Sequence, residues 1–191
     1  MRQRLTNQKA IEILRKEQKL IDCVIIEKLD LRELIDKNND DLTYSLILEN
    51  SEFEEIYATM LNFNYKFTLK DCIVDKFDVY ATFFNNGFEI TNNIFNKHVP
   101  FCDATHGLSG GQMNLSGNIF NNFVDFHDAS FKSKIEIRNN NFIQGTNLLS
   151  QMHLAPEFTL DSLIEENEGN LKVTEDETEN IWKNITTSNS N

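Results

Sequence analysis

The sequence contains few of the residues that break regular structure or cross-link a chain. Its 191 residues include only 7 glycines and 2 prolines, which excludes a collagen-like or low-complexity chain for most of its length. Its three cysteines, Cys23, Cys72 and Cys102, fit neither a disulfide framework nor a closely spaced zinc site. The length is sufficient for one domain with a sizeable core, and 15 phenylalanines are available to fill it.

Long apolar runs and clusters of basic residues are also missing. No run approaches the ~18 apolar residues needed to cross a bilayer, and the N-terminal MRQRLTNQKA has no apolar signal core. The formal net charge of −12 is opposite to what contacts with phosphate groups require. We therefore expect a cytoplasmic protein that binds neither membranes nor nucleic acids directly.

What the sequence does contain is a repeat. FEITNNIF begins at Phe88, MNLSGNIF at Met113 and IEIRNNNF at Ile135, and each has an apolar-x-apolar start, a polar bend with Asn, and a final Phe. The second apolar residue recurs at steps of 22, 21, 21, 25 and 22 residues, in the column Ile26, Leu48, Leu69, Ile90, Leu115 and Ile137. A period of this size is typical of solenoids, in which each repeat buries its apolar face against its neighbours.

Three further columns follow the same steps. Two positions earlier lie Val24, Leu46, Phe67, Phe88, Met113 and Ile135. Five positions later lie Leu31, Phe53, Val74, Phe95, Phe120 and Phe142, all of which we expect to point inward. Eleven positions later the last four turns carry Tyr80, Phe101, Phe126 and Leu148. Short strands separated by bends explain these spacings, so the pattern predicts an all-β parallel β-helix solenoid of about six turns.

The third turn, FTLKDCIVDKFDVYATFF, has inward positions five residues apart: Leu69, Val74, Val79 and Phe84. This phase resembles that of pentapeptide-repeat proteins, whose chains wind as right-handed four-sided β-helices. The bends TNNIF, SGNIF and RNNNF look like those of the wider right-handed parallel β-helices, whose asparagines stack in ladders. The resemblance covers residues 24 to about 150 and implies a right-handed coil.

Asparagines recur at the bends. Asn93, Asn118 and Asn140 occupy one column and follow Asn92, Gly117 and Asn139. Adjacent turns of such a coil are ~4.8 Å apart, so the amides of one column can hydrogen-bond from turn to turn. We predict a structural asparagine ladder, and a row of amides that binds sugars is the alternative.

The two ends of the chain depart from the repeat. Residues 6 to about 20 show helical spacing, with Thr6 or Asn7 as the N-cap and Ile11, Leu14, Leu20 and Ile21 in the apolar stripe. We predict a capping α-helix within residues 1–23, a β-helix domain over 24–155, and a cover segment with a flexible acidic tail over 156–191. The cover includes Leu154, Phe158, Leu160, Leu163 and Ile164. A partner-binding or dimerising role for the helix is the alternative to capping.

One constellation carries chemistry-bearing side chains. FCDATH from Phe101 and FHDASF from Phe126 fall in register, and the insertion GLSGG follows the first of them at residues 107–111. The residues brought together are Cys102, Asp103, His106, His127 and Asp128. Such groups can bind a metal ion or form an acid–base pair, and β-helix polysaccharide lyases and hydrolases carry catalytic groups on a face of this kind. We expect a ligand- or partner-binding face, with no catalytic residue, metal ion or other cofactor; a decorated bend is the alternative.

The favoured function is a non-enzymatic one, in which the solenoid presents an acidic surface to a protein partner, with homodimerisation as one form of that interaction. One version follows the pentapeptide-repeat proteins that mimic the charge of DNA and bind topoisomerase. A second alternative is a carbohydrate-active enzyme or glycan-binding module that acts through Asp103, Asp128 and His127. A third is a structural protein that self-associates end to end.

Overall fold

The computed structural model describes residues 2–35, 40–151, 155–159, 161–174, 177 and 181. These residues contain one α-helix, α1 (Asn7–Glu17), one 3₁₀-helix, η1 (Leu31–Leu34), and many short strands. All pairings between the described strands are parallel, and each strand pairs with strands about one repeat away in the sequence. The stacked parallel sheets fit a β-solenoid.

The strands of the first half are β1 (Gln3–Leu5), β2 (Lys19–Ile21), β3 (Cys23–Asp30), β4 (Asp41–Leu42), β5 (Leu46–Glu49), β6 (Glu52–Tyr57), β7 (Asn62–Phe63), β8 (Phe67–Lys70), β9 (Ile73–Asp78), β10 (Phe83–Phe84), β11 (Phe88–Thr91) and β12 (Ile94–Phe95). Those of the second half are β13 (Val99–Pro100), β14 (Thr105–His106), β15 (Met113–Ser116), β16 (Ile119–Phe120), β17 (Val124–Asp125), β18 (Ser130–Phe131), β19 (Ile135–Arg138), β20 (Asn141–Phe142), β21 (Glu157–Phe158), β22 (Leu163–Glu165) and β23 (Glu168–Gly169).

Five sheets result from these pairings. The two largest are the eight-stranded sheet β1-β3-β6-β9-β12-β16-β20-β23 and the seven-stranded sheet β2-β5-β8-β11-β15-β19-β22. The other sheets are β4-β7-β10, β14-β18-β21 and the pair β13-β17. Strands of the main sheets therefore begin at Gln3 and extend to Gly169, on both sides of residues 24–155.

From the second turn onward the predicted inward columns are confirmed, with the exception of Tyr80. Leu48, Leu69, Ile90, Leu115 and Ile137 are aligned neighbours in one sheet, and all are buried. In the next sheet the rings of Phe95, Phe120 and Phe142 stack, with centroids 4.9 and 5.1 Å apart. Aromatic burial of this kind is the main favourable term available to so narrow a core.

The asparagine ladder is also confirmed. The side-chain Oδ1 of Asn118 accepts hydrogen bonds from the backbone N and from Nδ2 of Asn93. Oδ1 of Asn140 accepts the corresponding two bonds from Asn118, and all four are 2.9–3.0 Å long. Asn167 continues the ladder below Asn140. The column is buried, and each amide nitrogen of Asn93, Asn118 and Asn140 also donates to a backbone carbonyl. These amides are therefore engaged inside the coil rather than offered as a sugar-binding row.

The first turn differs from the prediction. Leu20 pairs with Leu48 and Ile25 with Phe53, so the columns begin six residues earlier than expected. Ile26 is 57% exposed, and Leu31 is buried in η1 rather than in the strand column. The cause is the length of the first turn. Ten residues lie between Asp30 and Asp41, but only four lie between their partners Tyr57 and Asn62, and a bulge between Ile25 and Lys28 adds one more residue.

The predicted capping helix is present but shorter. Thr6 is its N-cap, since the Thr6 side chain accepts a hydrogen bond from the backbone N of Lys9, and Ile11 and Leu14 are buried. The helix ends at Glu17 because Gln18 adopts a left-handed conformation and caps it. Leu20 and Ile21 are therefore strand residues, and Ile21 faces outward, which corrects their assignment to the helical stripe.

One corner becomes longer from the fourth turn on. Between Val74 and Phe77 lie two residues, whereas three lie between Phe95 and Val99. The added residues are His98, Phe123 and Gly145, one in each of three successive turns. They are aligned, since the backbone N of Val99 donates to the carbonyl of Phe123 and the backbone N of Val124 donates to the carbonyl of Gly145. Tyr80 is consequently not in the inward column with Phe101: Val79 holds that place, and Tyr80 is 40% exposed.

The cover segment is described only in part. Phe158, in β21, is half-buried and stacks on Phe131, while Leu163 and Ile164 form β22 on the seven-stranded sheet. Leu154, Leu160 and most of the tail beyond Thr174 lie outside the described residues.

Candidate functional site

Asp103 and Asp128 lie at a corner of the coil where the backbone turns with positive φ. The same corner position is held by Met60, Ala81, Asp103 and Asp128, with φ of 59°, 49°, 57° and 51°. Aspartate tolerates this left-handed conformation better than most residues, which explains locally why it suits the position. The backbone N of Asp103 donates to the carbonyl of His127 at 2.9 Å, so Asp103 stacks directly against Asp128, as the register predicted.

Two further side chains, which were not among the predicted site residues, lie on this corner. Met60 is 53% exposed, and Tyr80 projects beside Asp103. The negative charge of Asp103, and then the hydrogen bond between the two side chains, raises the pKa of Tyr80. The only sequence signal for Tyr80 was its place in the column with Phe101 and Phe126, and that column predicted a side chain pointing inward. We call Met60, Tyr80, Asp103, His127 and Asp128 the Asp103 corner.

His127 is held between two aspartates. Its Nε2 lies 3.3 Å from Oδ2 of Asp128, and its backbone N donates to Oδ1 of Asp125 at 2.9 Å. Asp125 is buried, and the same Oδ1 accepts a hydrogen bond from Nδ2 of Asn147 at 2.7 Å. The half-buried His127 ring therefore lies on a fixed backbone beside an exposed carboxylate.

Cys102 is aligned with His127 but is largely covered. Burial, followed by the charges of Asp125 and Asp103, raises the pKa of the Cys102 thiol well above its ordinary value. A thiol in that state stays protonated near neutral pH and is a poor nucleophile.

His106 is separated from the other predicted residues because its side chain points into the coil. Along β14 the side chains alternate, so that Thr105 faces outward and His106 inward. His106 is 1% exposed, packs against Phe84 and Phe131, and accepts a 3.4 Å hydrogen bond at Nδ1 from the backbone N of Phe84. Burial lowers the pKa of His106 to about 3. The structure thus brings together Asp103, His127 and Asp128.

The loop 107–111 leaves the coil directly after His106. Gly107 and Gly110 have positive φ, and Leu108 at the tip is 62% exposed. The loop is tied down because Ser109 donates to the carbonyl of Asn85 at 2.8 Å, and the Ser133 hydroxyl donates to the carbonyl of Gly111 at 2.7 Å. It is therefore a projecting loop with fixed ends.

A polar groove of about 450 Å³ begins at Asp128. It is lined by Thr105, Asp128, Ala129, Ser130, Lys132, Ala155 and Glu157. Nζ of Lys132 lies 3.0 Å from Oε2 of Glu157, and this hydrogen bond lowers the pKa of Glu157. Neither here nor elsewhere in the part of the chain that the structure describes are three His, Cys, Asp or Glu side chains placed to hold a metal ion.

Comparison with models of protein families, with curated proteins and with solved structures found no match for this chain. Within the described ranges no helix is both long and apolar enough to cross a membrane.

Proposed function

We propose that this protein is a non-enzymatic β-helix that binds another protein through the Asp103 corner. We also propose that the coil is right-handed and has about six turns of the pentapeptide-like kind. Parallel strands joined by crossover connections take the right-handed form in nearly all known sheets, which supports this winding. The spacing of the inward columns supports the number of turns.

The observation that carries the proposal is the pairing of exposed apolar side chains with stacked carboxylates. Tyr80 is exposed beside Asp103, and Met60 is exposed two turns from Asp103 on the same corner. The backbones of Asp103 and Asp128 lie one turn apart, at ~4.8 Å. Tyrosine and methionine are enriched at protein interfaces, and paired carboxylates favour a partner that presents arginine or lysine. Because the backbone is held by stacked turns, binding would cost little ordering entropy.

The placement of the other groups favours binding over catalysis. His106 lies inside the coil, and the protonated thiol of Cys102 is a weak nucleophile. Cys23, Cys72 and Cys102 are all free thiols, which supports a reducing compartment, and we propose the cytoplasm.

The proposal is tested by a pull-down from lysate with purified chain as bait and two double variants. Asp103→Asn with Asp128→Asn removes both carboxylates while keeping residues that tolerate positive φ. Asp22→Asn with Asp71→Asn makes the same charge change at another left-handed corner and is the matched control. We expect a partner retained by the wild type and the control but lost from the first variant.

Two outcomes would overturn the proposal: a partner retained equally by both double variants, or one bound through α1. The identity of a retained partner also distinguishes the versions. A topoisomerase would support DNA mimicry, although lysines interrupt the carboxylates on two faces, as in Lys66–Glu89 at 2.7 Å and Lys76–Glu55 at 3.0 Å. A second copy of the chain would support homodimerisation or end-to-end association.

Glycan binding is the second candidate, and the groove beside Asp128 favours it. Its lining offers the hydroxyls of Thr105 and Ser130 and the charged pair Lys132–Glu157, all suited to hydrogen-bonding a hydroxylated ligand. A glycan array, followed by Ser130→Ala, tests this candidate. Binding of a defined glycan that Ser130→Ala weakens would replace protein binding as the preferred function.

A further inference from the structure

His106 occupies a place that phenylalanine holds in the neighbouring turns. The inward column runs Phe63, Phe84, His106, Phe131 and Phe158, with successive ring centroids 5.0, 5.6, 5.0 and 5.3 Å apart. A fifth phenylalanine in place of His106 would satisfy the packing without a polar atom. The histidine is therefore not required by the shape of the core.

The two ring nitrogens of His106 have only one hydrogen bond between them in this position. Nδ1 accepts the long hydrogen bond from the backbone N of Phe84, and Nε2 is buried with no hydrogen-bond partner. A buried polar atom without a partner costs more than the bond it would have made. The side chain is thus tolerated only as a neutral imidazole.

No charged group compensates His106 from the elements packed against it. Phe88 on β11, Phe84 on β10 and Phe131 on β18 present rings to it. The nearest charges are Glu89 on β11 and Lys132 directly after β18, and both occupy outward positions next to the inward rings. Protonation would therefore place an uncompensated cation in an apolar core.

We propose that His106 is an acid-sensitive switch whose protonation opens the fourth turn and releases the loop 107–111, which follows β14 in the chain. As an imidazolium, His106 donates at both nitrogens, so Nδ1 can no longer accept from Phe84. The next residue, Gly107, donates its backbone N to the carbonyl of Phe84 at 2.9 Å, so movement of His106 disturbs the anchor of the loop. This switch does not depend on which partner or glycan the corner binds.

The sign and size of the effect follow from linkage. Burial lowers the pKa of His106 to about 3 in the folded chain, whereas an exposed histidine titrates near 6.5. The opened state therefore binds more protons as pH falls, and stability present above pH ~6.5 is lost down to pH ~3. Relative to a pH well above 6.5, these two pKa values raise the equilibrium constant for opening about 30-fold at pH 5 and about 300-fold at pH 4.

Hydrogen exchange at pH 7 and pH 5, corrected for the intrinsic rates, tests the proposal on wild type and His106→Phe. We expect the protection of residues 105–111 to fall about 30-fold in wild type and less than about 3-fold in His106→Phe. His127→Phe, which removes a half-exposed histidine, should behave as wild type.

NMR titration of the histidine rings in wild type provides a second measurement that needs no variant. If the His106 imidazole stays neutral down to pH ~4 while the chain is folded, the result supports the switch. This measurement decides the question if His106→Phe does not fold. A His106 signal that titrates near 6.5 in the folded chain would overturn the proposal. Equal losses of protection in wild type and His106→Phe would overturn it as well.

Discussion

Replacing Asn118 by leucine tests how much the buried ladder contributes to stability. Oδ1 of Asn118 accepts from the backbone N and from Nδ2 of Asn93, at 2.9 and 3.0 Å. Nδ2 of Asn118 donates to the carbonyl of Ile90 and to Oδ1 of Asn140, at 2.9 and 3.0 Å. Leucine has nearly the same size but removes all four hydrogen bonds and leaves the backbone N of Asn93 without its acceptor.

The expected cost follows from these four bonds. Each contributes about 1 kcal/mol, and an orphaned buried donor adds a further penalty of about 1–3 kcal/mol. The added apolar burial of leucine offsets about 1–2 kcal/mol. We therefore expect Asn118→Leu to lower the free energy of unfolding by about 3–6 kcal/mol.

Asn121→Leu is the matched control for this variant. Nδ2 of Asn121 donates to Oδ1 of Asn96 at 2.9 Å, in an exposed stack on the outside of the coil, where water can replace the bond. Its cost should stay within about 0.5 kcal/mol. Equilibrium urea unfolding followed by circular dichroism measures both variants, and equal midpoints for Asn118→Leu and Asn121→Leu would refute the assignment of the ladder to the core.

Three further results are expected. Phe120→Ala removes a ring that is stacked on both sides, and it should lower the free energy of unfolding by about 3–5 kcal/mol in the same assay. Phe158→Ala should cost less, because Phe158 is only half-buried. Equal costs would contradict the placement of Phe120 at the centre of the core and of Phe158 at its end. Gly111→Ala should destabilise more than Gly110→Ala in thermal melts, because a Cβ at Gly111 meets the backbone of a neighbouring turn whereas one at Gly110 meets open space. Burial raises the pKa of Cys72 to about 12, so this thiol should react with a thiol reagent at pH 8 only after urea unfolding, and rapid labelling of the folded chain would be inconsistent with its position.

Much of the repeat could be predicted because the inward positions carry large apolar side chains at a constant step. Phe95, Phe120 and Phe142 stack as the column predicted, and the aligned asparagines form the ladder. The first turn could not be aligned correctly, because its step from Leu20 to Leu48 is 28 residues, longer than the steps of 21–25 residues that define the period. Most of the extra residues lie between Asp30 and Asp41, and an insertion in a connection leaves no mark in the apolar columns.

The candidate site was predictable only in part. The register of Asp103 on Asp128 followed from the repeated motifs, and the structure agrees. The inward direction of His106 did not follow, because it depends on where the corner ends and the alternation of β14 begins. The exposure of Tyr80 depends on one residue added at the neighbouring corner in later turns, which shifts the column by one position.

Neighbouring turns stack in parallel register, which places Asp103 beside Asp128. Nitroxide labels at these two positions, with the three native cysteines replaced by serine, measure that placement by electron paramagnetic resonance. We expect strong spin–spin broadening for this pair, because the labelled backbones are ~4.8 Å apart. A control pair at Asp103 and Asp71, which lie at different corners, should give sharp lines. Sharp lines for the pair at Asp103 and Asp128 would contradict the stacking and the binding face built on it.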